Sequence, residues 1–110
     1  MPTPHIVGWG HTPFGKHDAI DLVQLIQDAA LPAIASAGLA PADIDGVFVG
    51  HFNGGFLRQD FSGALAALAI PALRHVPSVR LENACATGSA AIWAAADAVA
   101  SGRLRRVLVV

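Results

Sequence analysis

The chain has a single cysteine, Cys85, and only 14% of its 110 residues are charged. One thiol cannot form an intrachain disulfide, which excludes a cysteine-stapled scaffold and any Cys-x-x-Cys metal or redox motif. The shortage of charge runs against the chain's size. An ordinary soluble domain carries about 25% charged residues, and a small domain has the most surface per residue to cover. Here 54% of residues are hydrophobic and the mean hydropathy is +0.52. Long apolar runs are missing as well. No stretch approaches the ~20 uninterrupted apolar residues of a membrane span, because Pro32, Pro71, Asp97 and Gly102 break the longest ones. The apolar excess therefore predicts faces buried against further protein. A piece of a larger unit is the expectation, and the buried-strand pattern of Val107-Leu108-Val109-Val110 agrees with it.

Charge of one sign is also lacking. A formal net charge of -1 with scattered signs leaves no electrostatic footprint for nucleic acid or anionic lipid. Arg103, Arg105 and Arg106 cluster, but they follow Gly102 at an expected helix C-terminus, where cations complement the helix dipole. The opening Met1-Pro2-Thr3-Pro4-His5 has neither the basic nor the apolar region of a signal peptide. With one cysteine and no such signal, the reducing cytoplasm is the expected compartment. The histidines His5, His11, His17, His51 and His75 form no HxxxH pair, so no metal centre is expected.

What is present alternates between strand-like and helix-like segments. Residues 5–9 read as a first strand, followed by a loop with Gly10, Pro13 and Gly15. Residues 19–37 read as a helix with Asp18 as N-cap and Gly38 as C-terminal cap, its polar stripe formed by Asp21, Gln24 and Asp28. A strand follows over 46–50, a loop over 51–60, and a short apolar helix from Phe61 to Ala69 closed by Pro71. Residues 76–81 read as a third strand, 89–100 as a helix, and 106–110 as the last strand. Strands alternating with helices predict parallel pairing through βαβ crossovers, as a single unit.

Two loops attract functional readings. Gly10-His11-Thr12-Pro13-Phe14-Gly15-Lys16-His17 matches all but the last position of a P-loop. His17 lacks the magnesium-binding hydroxyl, and Pro13 removes an N–H from a loop that would present N–H groups to phosphate. The same proline stands where Gly8-Trp9-Gly10 would need its third dinucleotide-binding glycine. His51 and Asn53 lie just past the second strand, where α/β proteins place ligand contacts, although a structural loop is the favoured reading.

The Cys85 segment carries the strongest signal. The strand over 76–81 runs through Glu82-Asn83-Ala84 into Cys85, and small residues then open a helix. A strand–turn–helix junction exposes a nucleophile at the carboxyl edge of a sheet and aims helix N–H groups at developing negative charge. A helix N-terminus also stabilises a thiolate, the reactive form. Ala84 and Ala86 leave room beside the sulfur, and Gly88 would allow close backbone approach. On chemistry alone Cys85 is either this nucleophile or a small buried structural residue.

Three passages decide how these features are grouped. Val7-Gly8-Trp9-Gly10-His11-Thr12-Pro13-Phe14-Gly15-Lys16, the stretch from Ala37-Gly38-Leu39 through Asp43-Ile44-Asp45-Gly46-Val47-Phe48-Val49-Gly50, and Glu82-Asn83-Ala84-Cys85-Ala86-Thr87-Gly88-Ser89-Ala90-Ala91 together resemble the N-terminal portion of thiolases. The likeness is to the acetyl-CoA acetyltransferase and sterol-carrier-protein branch, with Thr87 in place of a commoner serine. It covers essentially the whole chain.

The resemblance implies an α/β, thiolase-like fold: a mixed sheet with helices on both faces, part of a layered α-β-α-β-α sandwich of which residues 1–110 form most of the first half. It implies that Cys85 accepts an acyl group from acyl-CoA for Claisen condensation, or for thiolytic cleavage with coenzyme A, which enters as substrate and not as a cofactor. It implies a homodimer or homotetramer, and for some sterol-type relatives an OB-fold partner subunit. It places the activating histidine and a second cysteine in the C-terminal half. Two alternatives remain at this point. One is a sterol-type aldolase acting on a side-chain acyl-CoA; the other is a non-catalytic thiolase-like subunit.

Overall fold

A computed structural model describes residues 1–110. Its sheet has three strands, β1 (Gly46–Gly50), β2 (Ser78–Leu81) and β3 (Val107–Val109). They are ordered β2-β1-β3. Both pairings are parallel, with Gly50 opposite Leu81 and Phe48 opposite Val109. Within these residues the pairing is wholly parallel, as the alternation of strands and helices predicts. Each strand is followed or preceded by a helical crossover, and such crossovers deliver strands in parallel.

Three helices cover the sheet: α1 (Leu22–Ser36), α2 (Ser62–Ala69) and α3 (Thr87–Ala100). The pleat of β1 sends alternate side chains to opposite faces, which divides the core in two. Val47 and Val49 pack with Ile26, Ala30 and Ile34 of α1 and Leu65, Ala66 and Ala69 of α2. Phe48 packs on the other face with Ala95 and Ala98 of α3. Helices thus lie on both faces, as expected. Gly63 makes the α2 contact close, since a Cβ there would stand 3.0 Å from the Arg80 amide nitrogen. None of the helices is long and apolar enough to cross a membrane.

The helix ends follow from local chemistry. Asp21, not Asp18, is the N-cap of α1, its carboxylate accepting from the Gln24 N–H at 2.9 Å. Asp18 instead pairs loosely with Lys16 at 3.6 Å on the surface. Asp21 wins because the Gln24 amide is one of the donors left unpaired in a first helical turn. At the other end Gly38 adopts φ +71. Its N–H reaches the Ala35 carbonyl at 2.9 Å, while the Leu39 N–H reaches the Ile34 carbonyl at 3.2 Å. Those two bonds form a Schellman motif, and Leu39 packs on the same core as Ile34.

Residues 5–9 are not a strand. Gly8 and Gly10 lay this segment directly on α1: a Cβ at Gly8 would meet the Ala33 carbonyl oxygen at 2.5 Å. Ser36 Oγ accepts from the Trp9 N–H at 2.9 Å and donates to the Trp9 carbonyl at 3.2 Å. The Ser36 hydroxyl hydrogen is shared with the nearer Ala33 carbonyl at 2.9 Å, so the Trp9 N–H is the firmly held group, and Ile6, Val7 and Trp9 remain exposed. The apolar run that reads as a strand in sequence is a helix-docked arm.

Candidate active site

The carboxyl ends of β1 and β2 converge on the Cys85 segment. The His51 N–H donates to the Leu81 carbonyl at 3.2 Å, holding the two strands together as they leave the sheet. From Leu81 the chain turns through Glu82 and Asn83 into a 3-10 turn over Ala84–Ala86, and α3 begins at Thr87, two residues before its expected start. Ala84 takes φ +45, a left-handed conformation that non-glycine residues seldom adopt. This bend separates strand from helix and leaves Cys85 at its apex as an exposed free thiol. Within residues 1–110 Cys85 is not part of the packed core.

Thr87 holds the turn. Its hydroxyl accepts from the Asn83 N–H at 2.9 Å and donates to the Ala84 carbonyl at 2.6 Å. The side chain is itself buried, so these bonds are shielded from competing water. On the outer side the Glu82 carboxylate accepts from the Ala84 N–H, and the Ala86 N–H closes onto the Asn83 carbonyl at 2.8 Å. Among these bonds the Cys85 N–H has no acceptor within the chain. Nor does the alanine at position 86, the N-cap of α3, supply a capping side chain. The sulfur therefore sits beside a free amide donor at an uncapped helix start, the arrangement that stabilises an oxyanion.

Space lies to one side of this turn. A shallow groove of about 410 Å³ runs from Asn83 and Ala86 along Ser89, Ala90 and Trp93 to Asp97. Trp93 is 74% exposed on that outer face of α3. Gly88 does not serve a close contact within the chain, since a Cβ there would meet nothing within 4 Å. A close contact within the chain occurs at Gly50, where a Cβ would stand 3.2 Å from Thr87 Cγ2. Gly50 on the strand and the fully buried Ala91 in the helix together let α3 settle on the sheet.

Residues 5–110 match the sequence model of the thiolase N-terminal domain. The chain belongs to the thiolase family. It is 39% identical over 105 residues to an acetyl-CoA acetyltransferase of Methanocaldococcus jannaschii, covering 94% of this chain and 26% of that protein. An acetyl-CoA acetyltransferase of Methanothermobacter thermautotrophicus is 37% identical over 98 residues, covering 88% of this chain and 25% of that protein. The thiolase chain described here thus spans about a quarter of the length of these relatives. A solved acetyl-CoA acetyltransferase from Syntrophomonas wolfei shares the fold with a TM-score of 0.79 at 23% identity, over 94% of this chain and 27% of that one.

The remaining sequence candidates of this thiolase chain have structural explanations or stand apart from Cys85. Asn53 is buried. Its amide donates to the Leu57 carbonyl at 2.9 Å and to the Gln59 carbonyl at 3.3 Å, while its oxygen accepts from the Leu57 N–H at 2.7 Å. It organises the loop that follows β1. The His51 carbonyl accepts from Arg80 Nε at 3.0 Å, and Arg80 in turn pairs with Asp60 at 2.8 Å. Burial pushes the His51 ring below the ordinary histidine range, and the nearby Arg80 charge adds to this against a weaker opposing effect of Asp60. The arginine cluster is likewise anchored through its backbone. The Arg105 and Arg106 N–H groups donate to the Asp45 carboxylate at 3.1 and 2.9 Å. The false P-loop begins on the arm docked against α1, not at the end of a strand.

Sequence reading located Cys85 and missed what supports it. Thr87 was visible only as a substitution within a motif, although a hydroxyl two residues after the thiol is the available signal. Gly50 and the left-handed Ala84 left none, because both are defined by contacts between segments.

Proposed function

We propose that this chain is the nucleophile-bearing part of a thiolase-type acyltransferase and that Cys85 is its acyl acceptor. The exposed thiol beside a free amide at the strand–turn–helix junction carries this reading, supported by the family of the chain. In the proposed reaction the Cys85 thiolate attacks the carbonyl carbon of an acyl-CoA thioester. The new C–S bond forms as the bond to coenzyme A breaks, and the released coenzyme A thiolate takes up a proton. The Cys85 N–H donates to the oxyanion formed in passing. In the synthetic direction the α-carbanion of a second acyl-CoA attacks the acyl-cysteine. A C–C bond forms and the cysteine leaves as thiolate. Thiolysis of a 3-oxoacyl-CoA is the reverse sequence.

A thiolate needs a base to generate it, and a carbanion needs one to form. By the resemblance these groups are a histidine and a second cysteine of a C-terminal half. Residues 1–110 then form an incomplete domain that does not turn over on its own, with no cofactor beyond the coenzyme A thioester substrate. The outer edge of β2, where Ser78 and Val79 are exposed, offers unpaired backbone groups to a second subunit. It is the proposed place for a homodimer, with a tetramer or an OB-fold partner as further assembly. The proposed setting is lipid metabolism in the cytoplasm.

The test uses protein carrying both halves, incubated with acetyl-CoA, digested and examined by mass spectrometry. An acetyl group on the peptide containing Cys85, with loss of thiolysis in Cys85→Ala, is expected. Absence of the adduct together with full activity in Cys85→Ala would eliminate the covalent reading.

A further inference from the structure

The amides around Cys85 are unequally committed. The Asn83 N–H donates to Thr87 Oγ at 2.9 Å, the Ala84 N–H to the Glu82 carboxylate, and the Ala86 N–H to the Asn83 carbonyl at 2.8 Å. The Cys85 N–H alone among them has no acceptor within the chain. It therefore has no bond of its own to fix its direction. Something else must aim it.

The peptide unit supplies the link. The Ala84 carbonyl and the Cys85 N–H belong to one planar unit, and no peptide bond in the chain is cis. In a trans unit these two groups point in opposite directions. The Ala84 carbonyl accepts from the Thr87 hydroxyl at 2.6 Å and also from the Thr87 N–H. Held toward Thr87, it directs the Cys85 N–H away from Thr87 and out of the turn. A bond accepted by the carbonyl also polarises the amide, which makes the N–H a stronger donor.

Ala84 gives the hydroxyl a second task. Its φ of +45 is one that a residue with a Cβ keeps only when its surroundings impose it. Thr87 Oγ binds on both sides of this residue, accepting from the Asn83 N–H before it and donating to its own carbonyl. The threonine side chain is buried, and its methyl lies against Gly50 of β1. A β-branched side chain has few choices of χ1, so the hydroxyl is held where this clamp needs it. Every bond of the clamp joins residues within 83–87.

We propose that Thr87 is the positioning residue of the oxyanion donor. Through the Ala84 carbonyl it aims the Cys85 N–H at the thioester oxygen, without touching substrate itself. The proposal rests on the reading of Cys85 as the acyl acceptor. Without the hydroxyl, the Thr87 N–H alone holds the Ala84–Cys85 unit. Rotation of that unit takes the donor off the developing oxyanion and brings a repelling carbonyl toward it.

The test compares two reactions of Cys85 in protein carrying both halves. Acetylation by acetyl-CoA passes through an oxyanion. Alkylation by iodoacetamide uses the same thiolate, but it displaces iodide and forms no oxyanion. Both are followed by mass spectrometry of the peptide containing Cys85. Thr87→Val should lower the ratio of acetylation rate to alkylation rate about tenfold, part of the roughly 10²–10³ that complete loss of one oxyanion donor costs. Thr87→Ser should restore the ratio. Thr87→Cys, whose S–H donates weakly, should fall between them and keeps the comparison open if the valine variant does not fold. Ile34→Val truncates the core on the α1 side of the sheet and should leave the ratio at the parent value. A proportional fall of both rates in Thr87→Val, an unchanged ratio, or no rescue in Thr87→Ser would overturn the proposal. A parent protein that is alkylated but never acetylated at Cys85 would remove the acyl-acceptor reading, and this proposal with it.

Discussion

A Cβ placed on Gly50 would lie 3.2 Å from both the methyl carbon and the carbonyl oxygen of Thr87. The last residue of β1 and the first residue of α3 are therefore in direct contact, and Thr87 also closes the turn bearing Cys85. Through this pair, the position of the thiol is tied to the central strand of the sheet.

Gly50→Ala tests that tie. The added methyl must push against backbone and a buried side chain, and overpacking of this kind typically costs about 1–3 kcal/mol. A lower urea midpoint is expected, together with a changed rate of Cys85 modification by a thiol reagent in the folded protein. Unchanged values for both would show that the helix start is free to move.

Thr87→Val keeps the shape of the side chain and removes its hydroxyl. The Ala84 carbonyl and the Asn83 N–H then lose their shared partner, an effect of about 1–2 kcal/mol on stability. Thr87→Ser retains the hydroxyl and should restore most of the loss, so comparison of the two by chemical denaturation isolates the hydrogen bonds from the packing. Equal destabilisation by both variants would assign the effect to the methyl group instead.

Asp45 makes the stability depend on acid pH. The Arg106 N–H is the largest influence and lowers its pKa below 3.8; burial, next in size, opposes it, and the Arg105 N–H and the two arginine charges assist the lowering. A carboxyl whose pKa is depressed by folding stabilises the fold at pH above its unfolded value, and that contribution disappears as pH falls through the folded value. Asp45→Asn should therefore flatten the decline in stability below pH 3.8. Parallel stability profiles for parent and variant would remove Asp45 as the source.

His51 acts in a higher window, and again the folded pKa is the lower one. The unfolded chain takes up its proton near 6.5, while the partly buried ring resists protonation. The unfolded state then binds more protons between the two values, so stability rises with pH across that interval and levels off above 6.5. An NMR titration should place the His51 midpoint below 6.5, and His51→Gln should remove that part of the slope. A midpoint at or above the ordinary value would contradict the buried environment.

Local chemistry made much of the fold legible. The run over 46–50 is a strand as expected, and Gly38 ends α1 through a left-handed conformation that glycine adopts at little cost. Errors arose where two segments compete for the same groups. Asp18 and Asp21 are equivalent as sequence signals, yet only Asp21 meets a first-turn amide. Ile6, Val7 and Trp9 have the composition of a strand, but Ser36 takes the Trp9 backbone and the flanking glycines fit against α1.

Cys85 shows the same division. The sequence alone determined that a lone thiol stands between a strand and a helix, because hydrophobic periodicity and small residues are local properties of the chain. It also carried the motif that resembles thiolases. Only the tertiary structure decided that the thiol is exposed, that its own N–H is free, and that Thr87 and Gly50 hold the turn in place. Exposure and hydrogen-bond partnership depend on which distant segments meet, and no local pattern encodes a contact across 37 residues such as that between Gly50 and Thr87.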